Sequence, residues 1–152
     1  MSSTNRKRLR LEGYDYRTQG AYYVTVCTAN KDKILCDILP PKIDGNDPII
    51  VMSQIGKIVE EAIKRIPGID KYIVMPNHVH MIIFQTDDRT ISSKIQLWKR
   101  VITGKIKNSI WQSSFYDHII RDEADYRIKW KYIDDNPIKW ASGDHIDTEQ
   151  EM

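Results

Sequence analysis

Cysteine is scarce. Cys27 and Cys36 are the only two, and no Cys-x-x-Cys spacing joins them, which argues against a disulfide framework and against a thiolate zinc site. They read as reduced, structural thiols. Long apolar runs are missing as well: no stretch approaches the ~20 residues that a membrane-spanning helix needs. The polar, basic N-terminus has no apolar core of the kind a secretory leader carries. A cytoplasmic protein with no membrane partner is therefore expected. No internal repeat or low-complexity segment is present. A strong excess of one charge is absent too, since the formal net charge is only +2, and total charge alone announces no nucleic-acid protein.

What is there is one domain's worth of chain. At 152 residues and 41% hydrophobic content, the sequence can bury one sizeable core but hardly two, so 1–152 is read as a single domain. Its charges are segregated. A basic arm over 1–12 holds Arg6, Lys7, Arg8 and Arg10, and the stretch from Arg89 to Tyr116 holds Arg89, Lys94, Lys99, Arg100, Lys105 and Lys107 without one acid. The tail 141–152 reverses the sign with Asp144, Asp147, Glu149 and Glu151 and is expected to be flexible. A basic arm and a basic segment suit phosphate; a solvated helix face and frayed termini account for the same pattern.

Periodicity supplies the elements. The stretch AYYVTVCT, Ala21 to Thr28, is rich in aromatic and β-branched residues and predicts a strand. Ile34 to Leu39 and Ile49 to Met52 flank the turn-rich PPKIDGND and predict a hairpin. Ser53 is the expected N-cap of a helix whose stripe runs through Ile55, Ile58, Val59, Ala62, Ile63 and Ile66 until Pro67 and Gly68. Lys71 to Met75 and His78 to Gln85 read as adjacent strands joined at Pro76 and Asn77. A second helix is expected from Thr90 to Thr103, with Ile91, Ile95, Trp98 and Ile102 on one face and Gly104 past its end. Ser113 to Ile120 predicts another strand, and Asp122 caps a third helix that is expected to finish near Pro137. This order implies an α+β, ferredoxin-like sandwich: an antiparallel sheet with helices packed on it and an extra C-terminal helix.

His78 and His80, two apart on a predicted strand, leave it on one face, while Val79, Met81 and Ile83 point into the core. Two imidazoles side by side make a natural bidentate metal site that lacks a third ligand. The third helix offers one in KYIDDNP, where Tyr132 and Asn136 share a face one turn apart and Tyr126, Trp130 and Ile133 form the apolar stripe. A deprotonated tyrosine can attack a phosphodiester and store the bond as phosphotyrosine, and a divalent ion would polarise the phosphate. Two imidazoles and an amide oxygen suit Mg2+ or Mn2+, with manganese the more tolerant of nitrogen. From the residues alone Tyr132 reads as structural rather than catalytic. Trp98 and Trp130 read as core, whereas Trp111 and Trp140 are candidates for stacking on unpaired bases.

YIVMPNHVHMIIF, from Tyr72 to Phe84, with the downstream IWQSSFYDHIIRDEADYRIKWKYIDDNPIKW and the early KRLRLEGYDYRTQGAYYVTVCT, resembles the REP-associated tyrosine transposases, a branch of the single-tyrosine HUH transposases. The resemblance runs from Lys7 to Trp140; the Lys31 to Ile49 segment matches nothing assignable. It implies that Tyr132 is the nucleophile and that His78 and His80 are the paired ligands. Asn136 stands at the position of a polar helix ligand, often Gln in relatives. It further implies cleavage of single-stranded, hairpin-bearing DNA (REP-like palindromes) in DNA transposition, through a 5′-phosphotyrosine, by a monomer or a homodimer. Arg6, Lys7, Arg8 and Arg10 are the expected contacts to DNA backbone, and Arg121, in FYDHIIRD with Asp117, His118 and Asp122, is a further one. Two other readings remain open here: a domesticated hairpin-DNA-binding protein with little or no transposition activity, and a metal-dependent phosphoesterase in which Tyr132 is structural.

Overall fold

The computed structural model describes residues 20–43 and 45–143. The aromatic, β-branched run Ala21–Cys27 is strand β1, and a single 3-10 turn at Ala29–Lys31 leads to the hairpin of β2 (Cys36–Leu39) and β3 (Ile49–Met52). Helix α1 (Gln54–Ile63) starts where expected, because the Ser53 hydroxyl accepts the Gly56 N–H at 2.9 Å and so satisfies one of the first turn's unpaired donors. Strands β4 (Ile69–Val74) and β5 (His78–Phe84) follow, then α2 (Ile91–Ile106), β6 (Tyr116–Ile120) and α3 (Glu123–Ala141).

Four strands form one antiparallel sheet in the order β4-β5-β1-β6. With α1 and α2 as its crossovers this is the ferredoxin-like β-α-β-β-α-β arrangement, and the β2–β3 hairpin is an insertion with its own two-stranded sheet. Period-two alternation then sorts the side chains into two layers. Val24, Val26, Val79, Met81 and Ile83 pack with Val59, Ile63, Ile95, Trp98 and Ile102 of α1 and α2. On the opposite face Tyr23, Ile82, Phe84 and Ile120 pack with Tyr126 and Ile133 of α3. Each fully buried aliphatic side chain contributes ~1.5–3 kcal/mol, so both faces are held by core, and His78 and His80 lie under a helix.

Three expectations fail. Helix α3 does not stop near Pro137 but carries it in its interior and runs on to Ala141, taking the first residue of the expected tail into the helix. Proline lacks the N–H that the Ile133 carbonyl would receive, at a cost of ~3 kcal/mol, and burial of Pro137 and Ile133 is the offsetting term. Helix α2 does not end before Gly104; it continues to Ile106 and is capped by Lys107, which takes the left-handed conformation (φ 69°) and donates its N–H to the Thr103 carbonyl at 2.7 Å. Trp130 is not core but 40% exposed, with the Lys71 ammonium 3.7 Å from its ring centroid. The arm 1–12 and all of the tail beyond Gly143 lie outside the described residues. Among the described residues no helix is long and apolar enough to cross a membrane.

Candidate active site

Antiparallel pairing of β1 with β5 sets Thr25 opposite His80 and Cys27 opposite His78. The His80 ring is fully buried, and the hydroxyls of Tyr23 and Thr25 both stand 2.9 Å from its Nδ1. Its Nε2 has no hydrogen-bond partner among the described residues. A proton on Nδ1 can be given to those hydroxyls, which leaves Nε2 with a bare lone pair; the other tautomer would bury an N–H with nothing to receive it, at ~1–3 kcal/mol. Burial first, and then the neighbouring His78, hold the His80 imidazole well below its ordinary pKa, so at neutral pH it is uncharged and fit to ligate.

His78 is oriented the same way by its neighbour. Its Nδ1 is 2.7 Å from the Asn77 side-chain oxygen, an acceptor only, while the Asn77 amide nitrogen faces the Lys31 carbonyl at 3.4 Å. Nδ1 of His78 therefore carries the proton, and both imidazoles present Nε2. Their ring centroids are 4.7 Å apart.

Helix α3 crosses this pair antiparallel to β5: Tyr126 meets Phe84 at 5.9 Å, Tyr132 meets His80 at 5.4 Å and Trp140 meets His78 at 6.2 Å between ring centroids. Asn136 lies midway between Tyr132 and Trp140 on the same helix face, is buried, and donates its amide N–H to the Tyr132 carbonyl at 3.2 Å. That bond commits the nitrogen and leaves the amide oxygen as the atom able to ligate. Of the four residues expected at the centre, His78, His80 and Tyr132 are thus brought together by β5 and α3, and Asn136 stands one turn from Tyr132 on the same helix. Arg121 is exposed where β6 gives way to α3, and Arg6, Lys7, Arg8 and Arg10 are outside the described residues.

Several residues at the site were invisible in the one-dimensional pattern. Tyr23 and Thr25 become partners of His80 only through strand register, although AYYVTVC alternates in a way that puts both on one face. Lys139 has its ammonium 5.2 Å from the Tyr132 ring centroid, and Lys129 sits 5.8 Å from that of Tyr23. Lys129 is tied back to Asp125 at 3.4 Å, and Asp125 accepts from His118 at 2.8 Å and from the Arg121 N–H at 3.3 Å. Burial alone would raise the Asp125 pKa, but the His118 hydrogen bond, the Arg121 N–H and the Lys129 charge outweigh it and hold the carboxyl below its usual range.

Among the described residues no group of three or more His, Cys, Asp or Glu side chains could hold a metal ion. The donor set is two imidazoles and one amide. The buried Nε2 of His80, the matched tautomer of His78 and the acceptor oxygen of Asn136 fit a divalent ion that takes its remaining ligands from water or substrate oxygen.

No family model matches the chain. An uncharacterized protein of Haemophilus influenzae is 31% identical over 169 residues, spanning 90% of this chain and 90% of its own length. The REP-associated tyrosine transposase of Escherichia coli is 38% identical over 74 residues, which are 47% of this chain and 44% of that enzyme, so the alignment reaches less than half of the transposase. A solved structure of a REP-associated tyrosine transposase bound to a REP hairpin superposes with a TM-score of 0.59 at 22% identity, covering 92% of this chain and 74% of its own; at that identity the likeness speaks for the fold.

Proposed function

The chain belongs to the REP-associated tyrosine transposase family, and from that premise we propose that it is a metal-dependent endonuclease and strand transferase of single-stranded, hairpin-bearing DNA, with Tyr132 as its nucleophile. Membership makes its function transposase-like; the chemistry assigned to individual residues is our reading. The observation that carries it is the Tyr132 ring set against His80, whose Nε2 is buried without a partner among the described residues. A structural histidine at 0% exposure would be expected to satisfy both nitrogens.

The residues divide the work as follows. Tyr132 Oη attacks the scissile phosphorus, the phenolic proton departs, and the bond to the 3′ oxygen breaks, giving a 5′-phosphotyrosine and, once that oxygen is protonated, a free 3′-hydroxyl. Attack of a DNA hydroxyl on the phosphotyrosine runs the step backwards and joins strands. Lys139, 5.2 Å from the Tyr132 ring, puts positive charge where the phenolate and phosphate gather negative charge. His78, His80 and the Asn136 oxygen would hold Mg2+ or Mn2+, which supplies Lewis-acid polarisation of the phosphate when bound. Arg121, with Arg6, Lys7, Arg8 and Arg10, contacts the DNA backbone in this reading. Tyr132 faces the His80 of its own chain, which supports a centre completed within one subunit.

The test is incubation of the purified protein with labelled single-stranded hairpin DNA from the flanks of its gene, plus manganese or magnesium, on a denaturing gel beside Tyr132→Phe. We expect a protein–DNA band that needs metal and is lost in the variant. Hairpin binding without an adduct under either metal would replace the nuclease with a binding protein, and multiple turnover without an adduct would leave Tyr132 a structural residue in a phosphoesterase.

A further inference from the structure

The four tryptophans are not equivalent. Trp98 and Trp111 are buried and lie against each other at 4.8 Å, and Trp130 is exposed with its ring against the ammonium of Lys71, which also pairs with Asp134 at 3.3 Å. Trp140 alone is half-buried on the helix face that carries Tyr132 and Asn136, with its ring 6.2 Å from that of His78. The ammonium of Lys33, an exposed residue just after the 3-10 turn, stands 5.7 Å from the indole centroid. A flat aromatic surface and a cation thus meet beside the ligand pair, on its far side from the nucleophile.

We propose that Trp140 and Lys33 form a nucleotide subsite, in which the indole stacks on the base next to the scissile phosphate and the Lys33 ammonium pairs with that nucleotide's outer phosphate. This rests on the reading of Tyr132 and the histidines as a nuclease centre. Tyr132 and Trp140 are eight residues apart on one helix, ~12 Å along its axis, with the histidines between them. A phosphate over the pair therefore lies within one nucleotide of the indole. Stacking needs a base freed from its neighbours, so the subsite takes unpaired nucleotides, and any base has a suitable face. The Lys33 charge engages backbone without reading sequence. The subsite consequently sets where along an unpaired strand the cut falls, while leaving base identity loosely read.

The experiment measures binding by fluorescence anisotropy in a Tyr132→Phe background, with the hairpin oligonucleotide carrying one abasic site moved along its unpaired flank. Adduct formation by the protein with Tyr132 intact maps the cut on the same oligonucleotide. Adding Trp140→Ala should weaken binding of the intact strand by about 5- to 150-fold, which is 1–3 kcal/mol per stacked base at 1.4 kcal/mol per tenfold. That loss should vanish when the abasic site is next to the mapped cut and nowhere else. Trp140→Phe should keep most of the affinity, which separates stacking from misfolding, and Lys33→Ala should lower the salt slope by ~1. An equal loss on every abasic strand, or no loss in Trp140→Ala, overturns the subsite while adduct formation leaves the nuclease standing. Absence of both binding and adduct removes the nuclease reading and the subsite with it.

Discussion

The two ring nitrogens of His80 have unlike surroundings: Nδ1 is shared by two hydroxyls, and Nε2 faces the candidate metal position. If Tyr23 and Thr25 fix that orientation, removing both hydroxyls by Tyr23→Phe with Thr25→Val should weaken Mn2+ binding by ~10–100-fold, read by calorimetric titration, while the unfolding midpoint moves little. An unchanged Mn2+ affinity would make the hydroxyls mere packing. Gly56 is a second decisive residue, because a Cβ built there would stand 2.0 Å from the Leu35 carbonyl oxygen. Gly→Ala inside a helix ordinarily gains ~1 kcal/mol, but here the methyl group would strike backbone that cannot give way as a side chain can. Gly56→Ala should therefore destabilise by ~1–3 kcal/mol in urea unfolding. The histidine pair was legible in the sequence because His-x-His on a strand fixes a shared face whatever surrounds it. Its hydroxyl partners were not, since they depend on which residues of β1 register against β5.

At the scale of elements, α3 holds the most of the site and gave the sequence reading its largest error. Asp122 was readable as the cap because its carboxylate accepts the Asp125 N–H at 2.8 Å, a local pattern. The far end was not readable: a proline inside a helix is a local penalty that only tertiary burial can offset, and no local pattern reports burial. The same limit explains Trp130, which follows the stripe spacing of Tyr126 and Ile133 but stays exposed beside Lys71 of the edge strand β4. The root of α3 should respond to acid. The Asp125 carboxyl titrates below the value it has in the unfolded chain, so its stabilisation is fully present above the usual carboxylate pKa of ~3.9. It is lost as pH falls below that value through the folded-state pKa. Wild-type stability should then fall more steeply between pH 5 and pH 3, each ~1 unit from that reference, than that of Asp125→Asn in urea melts at each pH. Parallel curves for the two proteins would show that the carboxylate contributes nothing to the docking of α3.

For the molecule as a whole, alternation in β1 and β5 already implied the α1/α2 core of the ferredoxin-like sheet, and β-α-β-β-α-β order followed from element succession. That α3 closes the opposite face, so that both sides of the sheet are core, required the fold. Cys36 reports on the integrity of that packing. Burial, and secondarily Asp37, pushes its thiol up to about 12, which leaves almost no thiolate at neutral pH. Alkylation of Cys36 at pH 8, within ~1 unit of a free thiol's pKa, should be slow in the native protein and should accelerate along the global urea transition when followed by mass spectrometry. Rapid labelling without denaturant would mean that the β2–β3 hairpin opens by itself.

The order of the elements carries one more implication, for timing. The strand that bears the two imidazoles is made before the helix that bears the phenol, and a protein leaving the ribosome emerges N-terminus first. While α3 is still inside the exit tunnel, the nascent chain owns both histidines and cannot place the tyrosine against them. In the proposed nuclease, synthesis thus acts as a safety catch: a half-made molecule could neither cut DNA nor be trapped on it covalently, and the competence to do either would arrive only with α3.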